Sequence, residues 1–180
     1  FEEALEVITR LVREPGEVSF DGDYYRLKDA RILPRSPRQT GPPIVIGGNG
    51  PKRTLPMAAK YADEWNSTSM SLDDYRERTG QLNELLEAQG RKPEDVKRTV
   101  MRGAFIAPTD EGVAGKLGDR DKAEVKARGG VVGTAGEVVE ILGQLSDVGI
   151  EGVMLQWLDM DDISGLEYIA AEVLPQVRGA

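Results

Sequence analysis

Short apolar, β-branched runs alternate with helical patterns along most of the chain. The first pair is the clearest, because the run at 43–47 ends in glycines and apolar residues at helical spacing follow over 51–62. Further pairs begin near residues 63, 97 and 150. Strands that alternate with helices favour a parallel sheet covered by helices. We therefore expect an α/β fold with four strand–helix pairs.

A helix and a β-hairpin are expected before these pairs. Residues 1–14 carry an apolar face at helical spacing, and residues 17–34 contain two strand-like runs around a turn at 21–23. A closed (β/α)8 barrel needs eight strand–helix pairs and about 250 residues. The 180 residues here supply four pairs. We expect one partial-barrel domain over 1–180, as a fragment of a longer protein.

Composition excludes several classes of function. The net charge of −8 argues against nucleic acid and anionic membrane as partners, and no apolar run approaches the length of a membrane span. The chain has no cysteine and no histidine, which excludes disulfides, thiolate catalysis, a Ser-His-Asp triad and histidine-bound metal within it. No metal site is expected, and the lack of cysteine fits a cytoplasmic protein.

The glycine run at Gly47, Gly48, Asn49 and Gly50 lies between a predicted strand and a predicted helix. Free backbone N–H groups at a helix start, with no Cβ in the way, suit a phosphate group. The spacing matches neither a nucleotide P-loop nor a dinucleotide fingerprint, since Arg53 stands where the latter needs its third glycine. A plain tight turn remains the alternative.

Three other features allow both a functional and a purely structural interpretation. The glycine-rich, charged segment 109–132 follows a strand end and is expected to be a mobile loop or lid, or else a variable excursion. Trp65 and Trp157 can wall a flat ring or pack in the core, and Asn66 can offer a hydrogen bond to such a ring. The acidic residues 159–162 lack a calcium-loop spacing and predict a solvated helix start.

Five segments carry a resemblance to a known family. They are IGGNGPKRTL at 46–55, AAKYADEWN at 58–66, VGTAGEV at 132–138, GIEGVMLQ at 149–156 and EVLP at 172–175. Together they resemble the luciferase-like monooxygenases, and most closely the branch that uses a deazaflavin coenzyme. The opening helix and hairpin lie where that family has them, before strand five of its barrel. One departure is Ala135, where the family usually has proline.

The resemblance implies the C-terminal half of a (β/α)8 TIM barrel with a hairpin insertion before strand five. It implies an oxidoreductase or monooxygenase that uses coenzyme F420, or alternatively FMN, with a small-molecule substrate. The implied cofactor-binding residues are Gly47, Gly48, Asn49, Gly50, Trp65 and Asn66. Catalytic residues stay unknown, because the family's acid–base segments belong mostly to the first four strands.

Two alternatives to the redox enzyme remain open at this point. One is a non-catalytic half-barrel that acts only by assembly, as a homo-oligomer or by pairing with the missing N-terminal half, because exposed sheet edges favour such pairing. The other is a phosphate-binding barrel lyase or isomerase, which needs a base such as lysine or glutamate at a strand end. No convincing lysine occupies such a position in the predicted strands.

Overall fold

The computed structural model describes residues 1–177, and it begins with the helix and hairpin expected from the sequence. Helix α1 is Glu2–Arg13, and strands β1 (Val18–Asp21) and β2 (Arg26–Ala30) pair in an antiparallel hairpin. The Glu3 carboxylate accepts hydrogen bonds from three successive backbone N–H groups near the hairpin turn. This contact fixes the hairpin to α1.

Strands and helices then alternate, as the hydrophobic pattern predicts. In chain order the elements are β3 (Val45–Gly47), α2 (Thr54–Tyr61), β4 (Glu64–Thr68), α3 (Leu72–Ala88), a 3-10 turn (Pro93–Asp95) and β5 (Lys97–Ile106). The strands predicted at 43–47, 63–67 and 97–107 are confirmed, and each of their ends lies within two residues of the prediction.

The remaining elements contain more regular structure than the sequence predicts. They are α4 (Asp110–Leu117), α5 (Lys122–Ala127), β6 (Val131–Gly133), α6 (Ala135–Asp147), β7 (Gly152–Gln156), α7 (Ile163–Tyr168), a π-helical segment (Ile169–Val173) and α8 (Leu174–Val177). The strand predicted at 150–157 is confirmed as β7. The segment 109–132 contains α4 and α5 and is therefore not an irregular loop, and its movement stays a prediction.

Strand β6, like helices α4 and α5, is not among the elements that the sequence predicts. Val131 and Val132 are fully buried, and Val131 pairs in parallel with Ala104 of β5. Val131 and Val132 end the glycine-rich, charged segment 109–132, which is expected to be a loop, so the sequence predicts no separate strand there. The backbone of β6 is buried, however, and buried N–H and C=O groups require hydrogen-bond partners, which the ladder to β5 supplies.

The central sheet is arranged around β5. Its strand order is β3-β4-β5-β6, β7 also pairs with β5, and the pairings of β5 with β6 and β7 are parallel. Alternate side chains of β5 lie buried on one face of the strand: Arg98, Val100, Arg102, Ala104 and Ile106. The sheet and its helices confirm the α/β class expected from the sequence.

The described residues divide into two compact units. The first unit consists of residues 1–65 and 81–97, and the second consists of residues 66–80 and the residues from 98 onward. In the first unit, Arg91 donates to the carbonyl groups of Ala59 and Ala62 and so satisfies the C-terminal end of α2. In the second unit, one buried core cluster consists of Ala104, Ile106, Val131, Val138, Ile169 and Val173, and another consists of Ala107, Val113, Leu117 and Val132. That 1–180 forms one partial-barrel domain stays a prediction.

Candidate functional site

The glycine run forms a tight connection between β3 and α2 in the first unit. Gly48 has a φ of +114°, a backbone conformation that L-residues rarely adopt, so glycine is required there for the chain to turn. Gly47 and Gly50 are exposed, and Gly48 and Asn49 are half-buried. The four predicted residues thus lie together in one accessible loop, which we call the glycine loop.

Trp65 supports the glycine loop from within the unit. Its indole Nε1 donates a hydrogen bond of 2.8 Å to the carbonyl oxygen of Gly48, and its side chain is 0% exposed. A ring without exposed surface offers no face to a ligand. The buried tryptophan holds the loop in position, and the expectation that Trp65 walls a flat ring in a cofactor site stays a prediction.

The start of α2 is open to an anion. Its N-cap residue, Arg53, makes no side-chain hydrogen bond to the helix, and the first turn carries no acidic residue. By contrast, side chains cap α4, α5, α6 and α7. Lys52 and Arg53 are exposed beside this uncapped end. Within the first turn the Leu55 N–H already donates to the Gly50 carbonyl oxygen, and Pro56 has no N–H. The positive helix end and the two neighbouring cations, rather than a set of free helix N–H groups, favour a bound phosphate here.

Asn66 is buried in the second unit and is already hydrogen-bonded there. Its Nδ2 donates to Thr99 Oγ1 at 2.8 Å and lies 3.7 Å from Met154 Sδ. The side chain is 8% exposed. Because these donors are engaged within the protein, the structure provides no support for a hydrogen bond from Nδ2 to a cofactor ring. Contact between Asn66 and a cofactor stays a prediction.

A cavity of about 410 Å³ lies at the carboxyl ends of β5 and β7, entirely within the second unit. Gly103 and Gln156 pair across the two strands and line it. We call it the rim cavity. Its other walls come from Phe105 on β5 and from Lys116 and Arg120 in and after α4. The carboxyl ends of parallel strands are where ligands bind in barrel folds.

Aromatic rings and cations are paired at the rim cavity. Lys116 Nζ lies 4.4 Å from the ring centre of Trp157, and the Arg120 guanidinium lies 4.4 Å from that of Phe105. Such contacts stabilise a cation over a π face. They place flat apolar surface beside the cations of Lys116 and Arg120, and the charge of Lys116 is itself paired with carboxylates.

Lys116 also binds the acidic segment after β7. Its Nζ lies 2.5 Å from Asp162 Oδ2 and 3.6 Å from Asp159. This hydrogen bond from Lys116, together with those from the Gly165 N–H and Ser164, lowers the pKa of Asp162 to about 2. Asp162 caps α7 through Gly165, so the helix-start interpretation of the acidic residues is confirmed for Asp162.

Sequence reasoning missed Phe105, Lys116 and Arg120 as lining residues. The available signal was the charged segment 109–132 directly after a strand end, but the sequence does not show which of its charges turn towards that end.

Within residues 1–177, no group of three or more acidic, cysteine or histidine side chains is placed to hold a metal ion. No helix of this part of the chain is long and apolar enough to cross a membrane.

Known structures share this arrangement of strands and helices. An F420-dependent secondary alcohol dehydrogenase in complex with an F420–acetone adduct superposes with a TM-score of 0.78 at 18% identity, covering 98% of this chain and 60% of that chain. An F420-dependent tetrahydromethanopterin reductase from Methanopyrus kandleri superposes with a TM-score of 0.72 at 19% identity, and the match covers 96% of this chain and 61% of the reductase chain. A monooxygenase from Streptomyces bottropensis superposes with a TM-score of 0.73 at 19% identity, and the match covers 97% of this chain and 60% of the monooxygenase chain.

These likenesses confirm the partial (β/α)8 barrel expected from the sequence, and the chain spans about 60% of the length of the structures it matches. No curated protein sequence matches the chain significantly. The family model described as luciferase-like monooxygenase matches residues 1–121, which include the hairpin, the glycine loop and all of β5. The chain belongs to the luciferase-like monooxygenase family.

Proposed function

We propose that this chain binds the phosphate of coenzyme F420 within a luciferase-like oxidoreductase, with FMN as the alternative cofactor. The observation that carries the proposal is the glycine loop, which meets an uncapped helix start with no acidic residue in its first turn. The similar structures support the choice of cofactors, since they include F420-dependent enzymes and one enzyme in complex with FMN.

In this proposal the chain's own residues bind and orient rather than react. Backbone N–H groups of the glycine loop hold the phosphate, and Trp65 fixes the loop through the Gly48 carbonyl. The positive end of α2 and the cations Lys52 and Arg53 add attraction for the negative charge. When bound, the cofactor supplies the hydride or oxygen chemistry, which no side chain of the protein can perform.

The rim cavity is our candidate site for a ring system or a small-molecule substrate. Phe105 and Trp157 provide apolar surface, and Gln156 provides an amide near the carboxyl end of β7. The whole chain has no histidine, so any acid–base group in it must be another side chain or water. We assign no catalytic residue.

Cofactor titrations of the wild-type chain and of two matched variants test the proposal. Gly48→Val should weaken the binding of F420 or FMN by about tenfold or more, because a β-branched residue disfavours the positive φ and obstructs the backbone approach. Gly16→Val is the control, since a Cβ at Gly16 meets nothing within 4 Å and its φ is not in the left-handed range. Fluorescence of the cofactor reports the dissociation constant.

The outcomes of these titrations are distinct. A dissociation constant that rises for Gly48→Val and stays at the wild-type value for Gly16→Val supports the phosphate site. Equal affinity in all three proteins, or failure of the wild-type chain to bind either cofactor, refutes it.

Assembly is a second candidate function, favoured by exposed apolar side chains in and after β7. Met154 is 49% exposed, Leu158 is 74% exposed and Met160 is 79% exposed. Side chains of this kind gain free energy when another surface covers them. We propose that this strand end pairs with a second copy or with a complementary half-barrel.

Sedimentation of the chain at several concentrations tests self-assembly. Leu158→Asp should dissociate any dimer, and a wild-type chain that sediments as a monomer at all concentrations would contradict self-assembly.

A further inference from the structure

Arg102 is a buried cation whose hydrogen bonds are only partly formed. It lies on β5, and its side chain is 3% exposed. Nη1 donates to the carbonyl oxygen of Gly129 at 2.6 Å. Among the described residues, Nε and Nη2 have no hydrogen-bond partner. Burial lowers the pKa of Arg102, as expected for a charge removed from water.

The two unpaired nitrogens form one edge of the guanidinium group. Arginine binds carboxylate and phosphate groups through two parallel N–H donors, and the Nε–Nη2 edge has this geometry. Because a buried charge without a partner is strongly unfavourable, an anion on this edge would stabilise the folded chain. This edge of Arg102 therefore has the geometry to pair with an oxyanion.

A cavity of about 350 Å³ adjoins Arg102 within the second unit. Its wall includes the start of α3, at Ser71 and Leu72, and the glycine pair Gly129 and Gly130. Gly129 has a φ of +89°, and an added Cβ there would overlap the Arg102 side chain and the Met70 backbone. The glycine thus lets the backbone approach the guanidinium closely.

The carboxylates that line this cavity do not neutralise Arg102. Glu137 accepts hydrogen bonds from Lys126 at 2.7 Å and Lys122 at 3.0 Å, and from the Thr134 N–H. Lys126 above all lowers the pKa of Glu137 to about 2. Glu140 is exposed, and no hydrogen bond or ion pair joins it to Arg102 in the described part of the chain. The positive charge of Arg102 therefore lacks a counter-ion among residues 1–177.

We propose that Arg102 and the cavity between the start of α3 and Gly129–Gly130 form a binding site for a small oxyanion, either free or as the phosphate or carboxylate group of a metabolite. This site uses residues other than the glycine loop and does not depend on the proposed cofactor. An oxyanion there would link β5, α3 and the glycine pair, and so stabilise the second unit when bound.

Residue-resolved NMR titrations of the 180-residue chain test the proposal. Sodium phosphate and sodium acetate are added separately against sodium chloride at constant ionic strength. The amide signals of Ser71, Gly129 and Gly130 should shift saturably with phosphate, with acetate or with both, and the comparison tells a tetrahedral from a planar preference. Shifts at Gly47 and Gly48 report the glycine loop separately, so the two sites are distinguished.

Two variants complete the design. Arg102→Met should weaken the saturable binding by about tenfold or more, as expected when a charge-assisted bidentate contact is lost. Arg26→Met removes an exposed arginine of the hairpin and should leave the binding unchanged. If Arg102→Met does not fold, the wild-type titration decides alone. Shifts at these amides that are no larger with phosphate or acetate than with chloride overturn the proposal.

Discussion

Replacing Gly48 with alanine isolates the conformational requirement of the glycine loop. The added Cβ would lie 3.5 Å from Thr54 Cγ2 and 3.6 Å from Thr54 Oγ1, which are ordinary van der Waals distances. Steric overlap therefore contributes little. The φ of +114° is the source of the cost, since holding a residue other than glycine in such a region costs roughly 1–3 kcal/mol.

Gly80→Ala is the matched control for this substitution. Gly80 lies inside α3, and a Cβ there meets nothing within 4 Å. Alanine in a helix interior is more stable than glycine by about 0.5–1 kcal/mol. The same chemical change is therefore expected to destabilise the chain at residue 48 and to stabilise it at residue 80.

Urea unfolding followed by circular dichroism measures both effects. At residue 48 the free energy of unfolding should fall by about 1–3 kcal/mol, and each 1 kcal/mol corresponds to about 2–4 °C in Tm for a chain of this size. At residue 80 the free energy should rise. An alanine at residue 48 that leaves the stability unchanged or increases it would refute the backbone argument for the loop.

Two further predictions concern ion pairs of the second unit. Lys126 lowers the pKa of Glu137 in the folded chain to about 2, whereas the pKa in the unfolded chain is about 4.5. The ionised carboxylate therefore stabilises the fold fully above pH 4.5, and this stabilisation is lost as the pH falls from 4.5 towards 2. The difference in unfolding free energy between wild type and Glu137→Gln should therefore shrink over that range in urea titrations, and a constant difference would contradict this. Lys116→Met should raise the pKa of Asp162 from about 2 towards 3.8, measured by carboxyl NMR, and an unchanged value would refute the role of Lys116.

The order of strands and helices follows from local signals in the sequence. The glycines after β3 and the apolar spacing of α2 each predict structure within a few residues, as do the turn residues of the hairpin. These features were therefore predicted with bounds close to those observed.

Contacts between distant residues were not predictable in the same way. Nothing near Trp65 in the sequence shows that its indole bonds to Gly48, or that Lys116 lies over Trp157. Arg102 looks like an exposed strand residue by its charge, yet it shares the buried face of β5 with Val100. Such placements depend on tertiary packing, which overrides residue type.

The central claim is that backbone amides of the glycine loop hold a cofactor phosphate. Titration of the chain with FMN and with riboflavin, which lacks the phosphate, tests it most directly when the amide signals of Gly47, Gly48, Asn49 and Gly50 are followed by NMR. We predict saturable shifts of these four amides with FMN and none with riboflavin. Equal shifts with both ligands, or FMN shifts confined to other residues, would contradict the claim.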